Sequence, residues 1–351
     1  MAGGIGSRFW PMSRTGHPKQ FLDIMNRGRT LIQSTYDRFA QYIPPENIFV
    51  VTSQQYESIV AKQLPELLPE NILCEPSRKN TAPCLAYISY KLQQLNPKSN
   101  LICAPADHQI SDDTAFIKVS LEALDFTAKH NALLTLGVKP SYPNTGYGYI
   151  QYEGQSVTDN VYKVKTFTEK PDLELAKTFI ASGDFLWNSG IFVWQTKSII
   201  KAFEKYLPEI HEVFDAEKET FNTNNEKRAI EKIYPQCINI SIDYGIIEKA
   251  DNIYVIPSSF GWSDLGTWAS AYENLEKDYL LNAVTGDHVM VFDATKNVVH
   301  ADNKKLVLIQ GLDDFIVVDT KDVLLICKKD KEQEIKEYLA EVKRNKGDKF
   351  L

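Results

Sequence analysis

The sequence has no uninterrupted apolar run that approaches the roughly 18 residues needed to span a membrane as a helix. No charged-then-apolar leader precedes its first motif, so we do not expect secretion. The five cysteines are scattered through the chain without metal-ligand spacing, which predicts reduced thiols in a cytoplasmic protein and no zinc site. The formal net charge of −7 argues against a nucleic-acid-binding protein, which needs a basic face.

The two best-known phosphate-loop motifs are also missing. No Gly-Lys-Ser/Thr follows the N-terminal glycines, and Phe9 stands where a dinucleotide fingerprint has its third glycine. Within the segment 2–22, three glycines at residues 3–6 are nevertheless followed by Arg8 and Lys19, and residues 1–30 contain five basic residues against one acidic residue. Free N–H groups in such a loop form an anion-binding concavity. We therefore predict a polyphosphate-binding loop, with a plain glycine-rich turn as the alternative.

Short apolar runs alternate with helical patterns over residues 29–138. We predict helices over 29–42, 54–68, 80–95 and 114–129, and strands over 47–52, 72–75, 101–104 and 132–138. This alternation indicates an α/β fold with a doubly wound, mostly parallel sheet, in which ligands collect at the carboxyl ends of strands. After residue 277, β runs recur about every 8 to 12 residues before a terminal helix. We predict two domains, 1–276 and 277–351.

The N-terminus raises a separate expectation. A phosphate loop of this kind should follow a short buried strand at the centre of the sheet, but the chain begins at Met1, inside the end of that strand. We expect either that the natural start lies upstream or that the central strand is missing. A missing strand would expose two sheet edges and unseat the loop.

Several sequence blocks carry a family resemblance. They are GGIGSRFWP, PKQFL, EPSRKNTAP, PADH, NTGYGYI, FTEKPD, FLWNSGIF, SIDYGIIEK and WSDLGTW, spread in this order over residues 2–268. The chain resembles the sugar-nucleotide pyrophosphorylases, in the form carried by mannose-1-phosphate guanylyltransferases. The resemblance implies a Rossmann-like nucleotidyltransferase domain, followed by a small left-handed β-helix-like unit. It also implies synthesis of GDP-mannose and pyrophosphate from GTP and mannose 1-phosphate with Mg²⁺.

The resemblance also implies roles for individual residues. Arg8 and Lys19 would bind the triphosphate and stabilise the leaving pyrophosphate, and Asp107 and Asp264 would together hold Mg²⁺. Taken singly, either aspartate is as well explained as a turn former or a helix N-cap, at a helix over 265–273 in the case of Asp264. No general base is required, because mannose 1-phosphate is already an anion, so we assign His108 a structural role.

The remaining site residues follow from the same blocks. The nucleotide-binding residues implied are Ala2, Gly3, Gly4, Gly6, Ser7, Asn80, Thr81, Pro105 and Ala106. The sugar-phosphate-binding residues implied are Gly146, Tyr147, Glu169, Lys170 and Asn188, with Lys170 on the phosphate. A preference for guanine over uracil or thymine rests on the resemblance alone.

Three alternative functions stay open at this point. The first is a sugar-1-phosphate nucleotidyltransferase that uses dTTP or UTP with glucose 1-phosphate. The second is a catalytically silent regulatory relative, although that would be expected to have lost some of the four catalytic charges. The third is a glycosyltransferase, which would need a DxD motif where PADHQ has one acid. We expect a single activity, and the β-rich C-terminal unit is a candidate homodimer surface.

Overall fold

The computed structural model describes residues 1–302 and 304–351. The α-helices are α1 (Leu31–Ala40), α2 (Glu57–Gln63), α3 (Thr81–Leu95), α4 (Asp113–Lys129), α5 (Leu173–Ser182), α6 (Thr196–Tyr206), α7 (Pro208–Ala216), α8 (Glu226–Ile233), α9 (Trp268–Asn274) and α10 (Ile335–Lys346). The strands before residue 277 are β1 (Val50–Ser53), β2 (Ile72–Glu75), β3 (Asn100–Cys103), β4 (Gln109–Ile110), β5 (Leu133–Val138), β6 (Gly148–Thr158), β7 (Val161–Glu169), β8 (Phe185–Gln195), β9 (Ile253–Ser258) and β10 (Trp262–Ser263). The later strands are β11 (Ala283–Thr285), β12 (Val289–Phe292), β13 (Val298–Ala301), β14 (Val307–Gln310), β15 (Phe315–Asp319) and β16 (Leu324–Lys328).

The central sheet confirms the predicted α/β fold, although its strand directions are more mixed than predicted. Its six hydrogen-bonded strands run in the order β3-β8-β5-β9-β7-β6. Within these six, β5 and β9 are parallel and the other pairs are antiparallel. Earlier in the chain, β1 and β2 form a separate two-stranded parallel sheet. A buried apolar strand carries no signal of its direction in its composition, so the antiparallel β8 could not be foreseen.

The N-terminal residues occupy the position of the expected central strand. The ammonium of Met1 donates to the carbonyl of Ala104 at 2.9 Å, and the amide of Ala106 donates to the Met1 carbonyl at 2.9 Å. On the other side, the Ala2 amide donates to the carbonyl of Val51 at 2.8 Å. Met1 and Ala2 therefore bridge β1 and the end of β3 and hold the loop in place. The expectation that the loop would be displaced is wrong. An apolar cleft of about 430 Å³ lies between β1 and β3.

Capping residues define most of the predicted helices. Asn80 precedes α3 and accepts from the amide of Thr81 at 2.9 Å, while Asp112 caps α4 by accepting from the amide of Ala115 at 2.9 Å. The helix predicted over 54–68 is shorter than expected, because α2 ends before Pro65. No helix in the described parts of the chain combines the length and apolarity that crossing a membrane requires.

The C-terminal unit is a small parallel β-solenoid. β11, β13 and β15 pair in parallel on one face, and the intervening strands β12 and β14 pair in parallel on another. The chain therefore alternates between the faces, as a β-helix-like unit requires. The unit packs against the N-terminal loop and α9 through a buried cluster that includes Phe9, Trp268, Ile316 and Ile335. The N-terminal glycine loop, within the segment 2–22, is consequently in contact with both parts of the chain.

Candidate active site

The glycine loop is shaped to admit the side chain of Lys19. Gly6 has φ +67°, and a Cβ atom built on it would lie 2.4 Å from the Cβ of Lys19. Both the left-handed backbone and the lack of space therefore require glycine at this position. Ile5, the preceding residue, accepts from the Lys19 amide at 3.2 Å and from the Ser13 hydroxyl at 2.5 Å. These contacts fix Lys19 against the loop.

Lys19 joins three segments that are far apart in the sequence. Its ammonium donates to a carboxylate oxygen of Asp107 at 2.8 Å, to the carbonyl of Asp264 at 2.8 Å and to the carbonyl of Leu265 at 3.1 Å. The Lys19 side chain is only 4% exposed, so this cation lies in a poorly solvated position. Sequence reasoning placed Lys19 on the triphosphate, and in this structure its ammonium donates to the two aspartate segments.

A short antiparallel pairing brings the two aspartate segments together. β4 follows Asp107, and β10 precedes Asp264. Their two residue pairs are Trp262 with Ile110 and Ser263 with Gln109. This ladder of two residue pairs holds the two loops side by side around Lys19.

Neither aspartate caps a helix. α4 is capped by Asp112, and α9 is capped by Thr267, whose hydroxyl accepts from the Ser270 amide at 3.1 Å. Asp264 instead accepts from the Gly266 amide at 2.8 Å and from the hydroxyl of Tyr147 at 2.7 Å. The N-cap alternative for Asp264 is therefore wrong.

The charges around Asp107 keep it ionised. Burial alone would raise the pKa of the Asp107 carboxyl, but the positive charge of Lys19 holds it below its usual value. Burial lowers the pKa of His108, and its Nδ1 accepts from the indole N–H of Trp262 at 3.1 Å. His108 is therefore a neutral imidazole fixed by a neighbouring ring, in keeping with the structural role assigned to it.

The two carboxylates suit a divalent cation that shares its remaining ligands with a substrate. Among the described residues, no cluster of three or more His, Cys, Asp or Glu side chains could enclose a metal ion by itself. Mg²⁺ is commonly held by one or two carboxylates, with phosphate oxygens and waters completing its shell. The Lys19 ammonium contacts the Asp107 carboxylate and the backbone carbonyl of Asp264, so the two aspartate segments lie on either side of one cation. The donor set of Asp107 and Asp264 fits Mg²⁺ on these grounds.

Arg8 contacts the C-terminal unit. Its Nε donates to the side-chain oxygen of Gln333 at 2.9 Å, and its positive charge lowers the pKa of Lys336. The structure shows no contact between Arg8 and the Lys19 cluster within the described residues. Neither Gln333 nor Lys336 was singled out from the sequence, because a surface polar pair at the start of a helix carries no distinguishing signal.

Two of the predicted nucleotide-binding residues, Ala2 and Ala106, lie beside β1 and just after β3. Ala2 and Ala106 flank Met1 in the backbone ladder, and Asn80, at φ +68°, turns the chain into α3. A Cβ on Gly3 would lie 3.5 Å from a carboxylate oxygen of Glu75. Glu75 was not predicted; it is buried, burial raises its pKa to about 7, and it accepts from the Tyr234 hydroxyl at 2.9 Å. Only the folded structure shows that this carboxyl group is buried beside the glycine loop.

The predicted sugar-phosphate residues gather at the ends of β6, β7 and β8. The Lys170 ammonium pairs with Glu169, and the Lys170 amide donates to the Tyr147 carbonyl at 3.1 Å. Asn188 and Glu169 both approach Gly148. A Cβ atom built on Gly148 would lie 2.4 Å from Glu169 Oε2 and 3.3 Å from the Asn188 Cβ. Gly148 is thus the glycine that makes room for this pocket. A Cβ on Gly146 would meet only its near neighbour Asn144, at 3.1 Å.

Comparison with known proteins identifies the family. Residues 1–279 match the family described as Nucleotidyl transferase, and residues 286–342 match the MannoseP isomerase/GMP-like beta-helix domain. Mannose-1-phosphate guanylyltransferase RfbM of Salmonella typhimurium is 34% identical over 100% of this chain and 73% of its own length. Alginate biosynthesis protein AlgA of Pseudomonas syringae pv. tomato is 36% identical over 97% of this chain and 70% of its own.

A solved structure agrees with these matches. The crystal structure described as mannose-1-phosphate geranyltransferase from Thermus thermophilus has a TM-score of 0.88 at 28% identity, and the match covers 98% of each chain. The predicted resemblance is confirmed over both parts of the molecule. The chain therefore belongs to the nucleotidyl transferase family, with the β-helix domain that accompanies it in mannose-1-phosphate guanylyltransferases.

Proposed function

We propose that the chain is a mannose-1-phosphate guanylyltransferase, which makes GDP-mannose and pyrophosphate from GTP and mannose 1-phosphate. The names of its relatives support this reaction. The structural observation that carries the proposal is the convergence of Asp107 and Asp264 on Lys19. Such a cluster combines the two kinds of charge that nucleotidyl transfer needs, a cation for phosphate oxygens and carboxylates for a metal ion.

The chain's contribution to the reaction is positioning and charge. The phosphate of mannose 1-phosphate would attack the α-phosphate of GTP in line, and Lys19 and Arg8 would stabilise negative charge as pyrophosphate leaves. Asp107 and Asp264 would hold Mg²⁺, which when bound neutralises the phosphate oxygens. The sugar phosphate is already ionised, and His108 is neutral, so no side chain has to remove a proton.

The reaction is tested by pyrophosphate release across four nucleoside triphosphates and three sugar 1-phosphates. We expect the highest kcat/KM for GTP with mannose 1-phosphate, and no release after chelation of divalent cations. Faster turnover of dTTP or UTP with glucose 1-phosphate would instead identify the alternative nucleotidyltransferase. Absence of release with every pair would identify a silent relative.

Lys170 is expected to bind the phosphate of mannose 1-phosphate. It is held at φ +49°, an unusual conformation for a residue other than glycine. Burial alone would lower its pKa, but hydrogen bonding and charge from Glu169 hold the pKa above its usual value, so Lys170 is cationic. Lys170→Ala should raise the KM for mannose 1-phosphate by about 10- to 100-fold, the loss expected for one charge-assisted contact.

Steady-state kinetics with each substrate varied in turn measures this effect. Lys165→Ala is the matched control, because Lys165 is an exposed lysine on the same strand, β7. An increase confined to the KM for GTP would show that the two pockets are assigned in reverse.

We also propose a cytoplasmic homodimer that assembles through the C-terminal unit. β12 and β14 form a two-stranded sheet whose exposed face is apolar, with Met290 directly opposite Leu308. A second copy would cover this face and continue its strand edges. Leu308→Glu should convert the dimer to a monomer in light scattering, whereas Leu121→Glu, at an exposed leucine on α4, should not. A wild-type monomer at micromolar concentration would contradict the dimer.

A further inference from the structure

Asp243 is the first residue of a turn that contacts both the predicted nucleotide-binding segment and the predicted sugar-phosphate residues. Residues Asp243–Ile247 form a π-helical turn, a rare conformation that is often found at functional sites. Immediately before it, the amide of Ile242 donates to the hydroxyl oxygen of Thr81 at 2.9 Å. The turn therefore touches the segment predicted to bind nucleotide, while its first side chain faces the sugar-phosphate residues.

The orientation of Asn188 is determined by Asp243. The Asn188 amide nitrogen donates to Asp243 Oδ1 at 2.9 Å, and its oxygen accepts from the Thr135 hydroxyl and the Gly190 amide, both at 3.1 Å. Because the amide oxygen already has two donors, the NH₂ group must point toward Asp243. One amide hydrogen of Asn188 remains available to a ligand, and the Asp243 carboxylate also accepts from its own backbone amide.

Glu169 leaves a buried acceptor in the same space. Its side chain is only 9% exposed, and Oε1 pairs with Lys170. Oε2 is buried and has no hydrogen-bond partner among the residues that the structure describes. The space that Gly148 leaves open places this oxygen beside Asn188. A buried carboxylate oxygen without a donor is unfavourable, and a ligand hydroxyl would satisfy it.

The electrostatics of Asp243 agree with a site that has room for a donor. Burial raises its pKa to about 6, the neighbouring charge of Glu169 adds to this rise, and Lys170 opposes it. The two carboxyl groups therefore lie close enough to interact, and Lys170 interacts with both of them. Vicinal hydroxyl groups of a sugar ring offer the donors that such a pair of acceptors lacks.

We propose that Asp243 is a sugar-binding residue, which acts with Glu169 as a pair of carboxylate acceptors for ring hydroxyls of the sugar phosphate. This inference rests on the proposed function, because it assigns a substrate contact within the same site. In this arrangement Lys170 binds the phosphate, while Asp243, Glu169 and Asn188 contact the ring. Asp243 thereby contributes to the choice among sugar phosphates.

The test compares Asp243→Asn with Asp243→Ala. Asparagine retains an oxygen that can accept from Asn188, so it preserves the positioning of that amide but removes the carboxylate charge. We expect both variants to raise the KM and the calorimetric Kd for mannose 1-phosphate by about 10-fold or more. The KM for GTP should stay within about twofold, and discrimination against glucose 1-phosphate should fall. Asp251→Asn is the control, because Asp251 lies just beyond the turn and is 80% exposed.

The outcomes separate this inference from the proposed function. A wild-type Kd in Asp243→Asn, with loss only in Asp243→Ala, would show that Asp243 merely positions Asn188 and would overturn the inference. An equal rise in the KM for GTP would do the same, by revealing a general disturbance of the turn. If the wild-type chain instead binds another sugar phosphate, the proposed function fails. The same two variants measured with that sugar phosphate still decide the role of Asp243.

Discussion

Replacing Asp264 with Asn is expected to lower kcat by about 10³-fold or more, which corresponds to about 4 kcal/mol of transition-state stabilisation. The substitution preserves the shape of the side chain. An asparagine oxygen can still accept from the Gly266 amide and the Tyr147 hydroxyl, the two contacts that hold Asp264 in its turn. What is lost is the negative charge that would bind Mg²⁺. The loss should therefore fall on catalysis and on metal affinity, with little change in folding.

Pyrophosphate release measured over a titration of Mg²⁺ tests this expectation. The variant should need a higher Mg²⁺ concentration for half-maximal rate and should keep a wild-type thermal unfolding midpoint. Asp159→Asn, in the exposed turn between β6 and β7, makes the same chemical change away from the site and should retain full activity. Wild-type turnover by Asp264→Asn would remove Asp264 from the metal site.

The fold could be predicted from the sequence wherever a local pattern determines the element. The helices predicted over 80–95 and 114–129 are α3 and α4, each beginning within one residue of the predicted start. Strand direction was less accessible, because the composition of β8 carries no signal of direction and its antiparallel pairing with β5 depends on a distant segment. The pairing of β4 with β10 has only two residue pairs and no periodicity to detect. That pairing nevertheless brings the two aspartates together.

The site could be predicted as a set of residues but not as a set of contacts. Tyr147 was assigned to the sugar pocket, yet its hydroxyl donates to Asp264. Burial is the main cause of the raised pKa of Tyr147, and the charge of Asp264 raises this pKa further. Arg8 was assigned to the triphosphate, yet it contacts Gln333 from the far end of the chain. Such contacts depend on how distant segments pack together, which residue spacing does not encode. The predicted roles of these residues remain proposals.

Lys19→Met is expected to lower kcat by about 10²- to 10³-fold, the usual effect of removing one preorganised charged donor. Methionine fits the apolar stem of the lysine, which is nearly fully buried. The substitution leaves Asp107 without its ion-pair partner and two carbonyl groups without a donor. We expect a loss of about 1–3 kcal/mol in unfolding free energy from these unsatisfied groups.

The pH dependence of the variant distinguishes this role of Lys19 from a simple contact with phosphate. In the wild type the pKa of Asp107 is depressed, so its carboxylate stays charged well into the acid range. Without Lys19 the effect of burial dominates and raises that pKa, so the carboxylate is neutralised at a higher pH as the solution is acidified. The acid limb of the kcat/KM profile should therefore move to higher pH in Lys19→Met. Lys62→Met, at an exposed lysine on α2, should leave the profile unchanged.

A double variant determines whether Lys19 acts through Asp107. Asp107→Asn removes the unpaired charge that Lys19→Met creates, so the combined variant should recover part of the lost unfolding free energy without recovering turnover. The coupling energy from this cycle measures the ion pair in the folded protein. Stability losses that simply add, together with an unshifted pH profile, would show that the two residues act independently. Lys19 would then act on phosphate alone, and the convergence of the two aspartate segments on its ammonium would have no catalytic consequence.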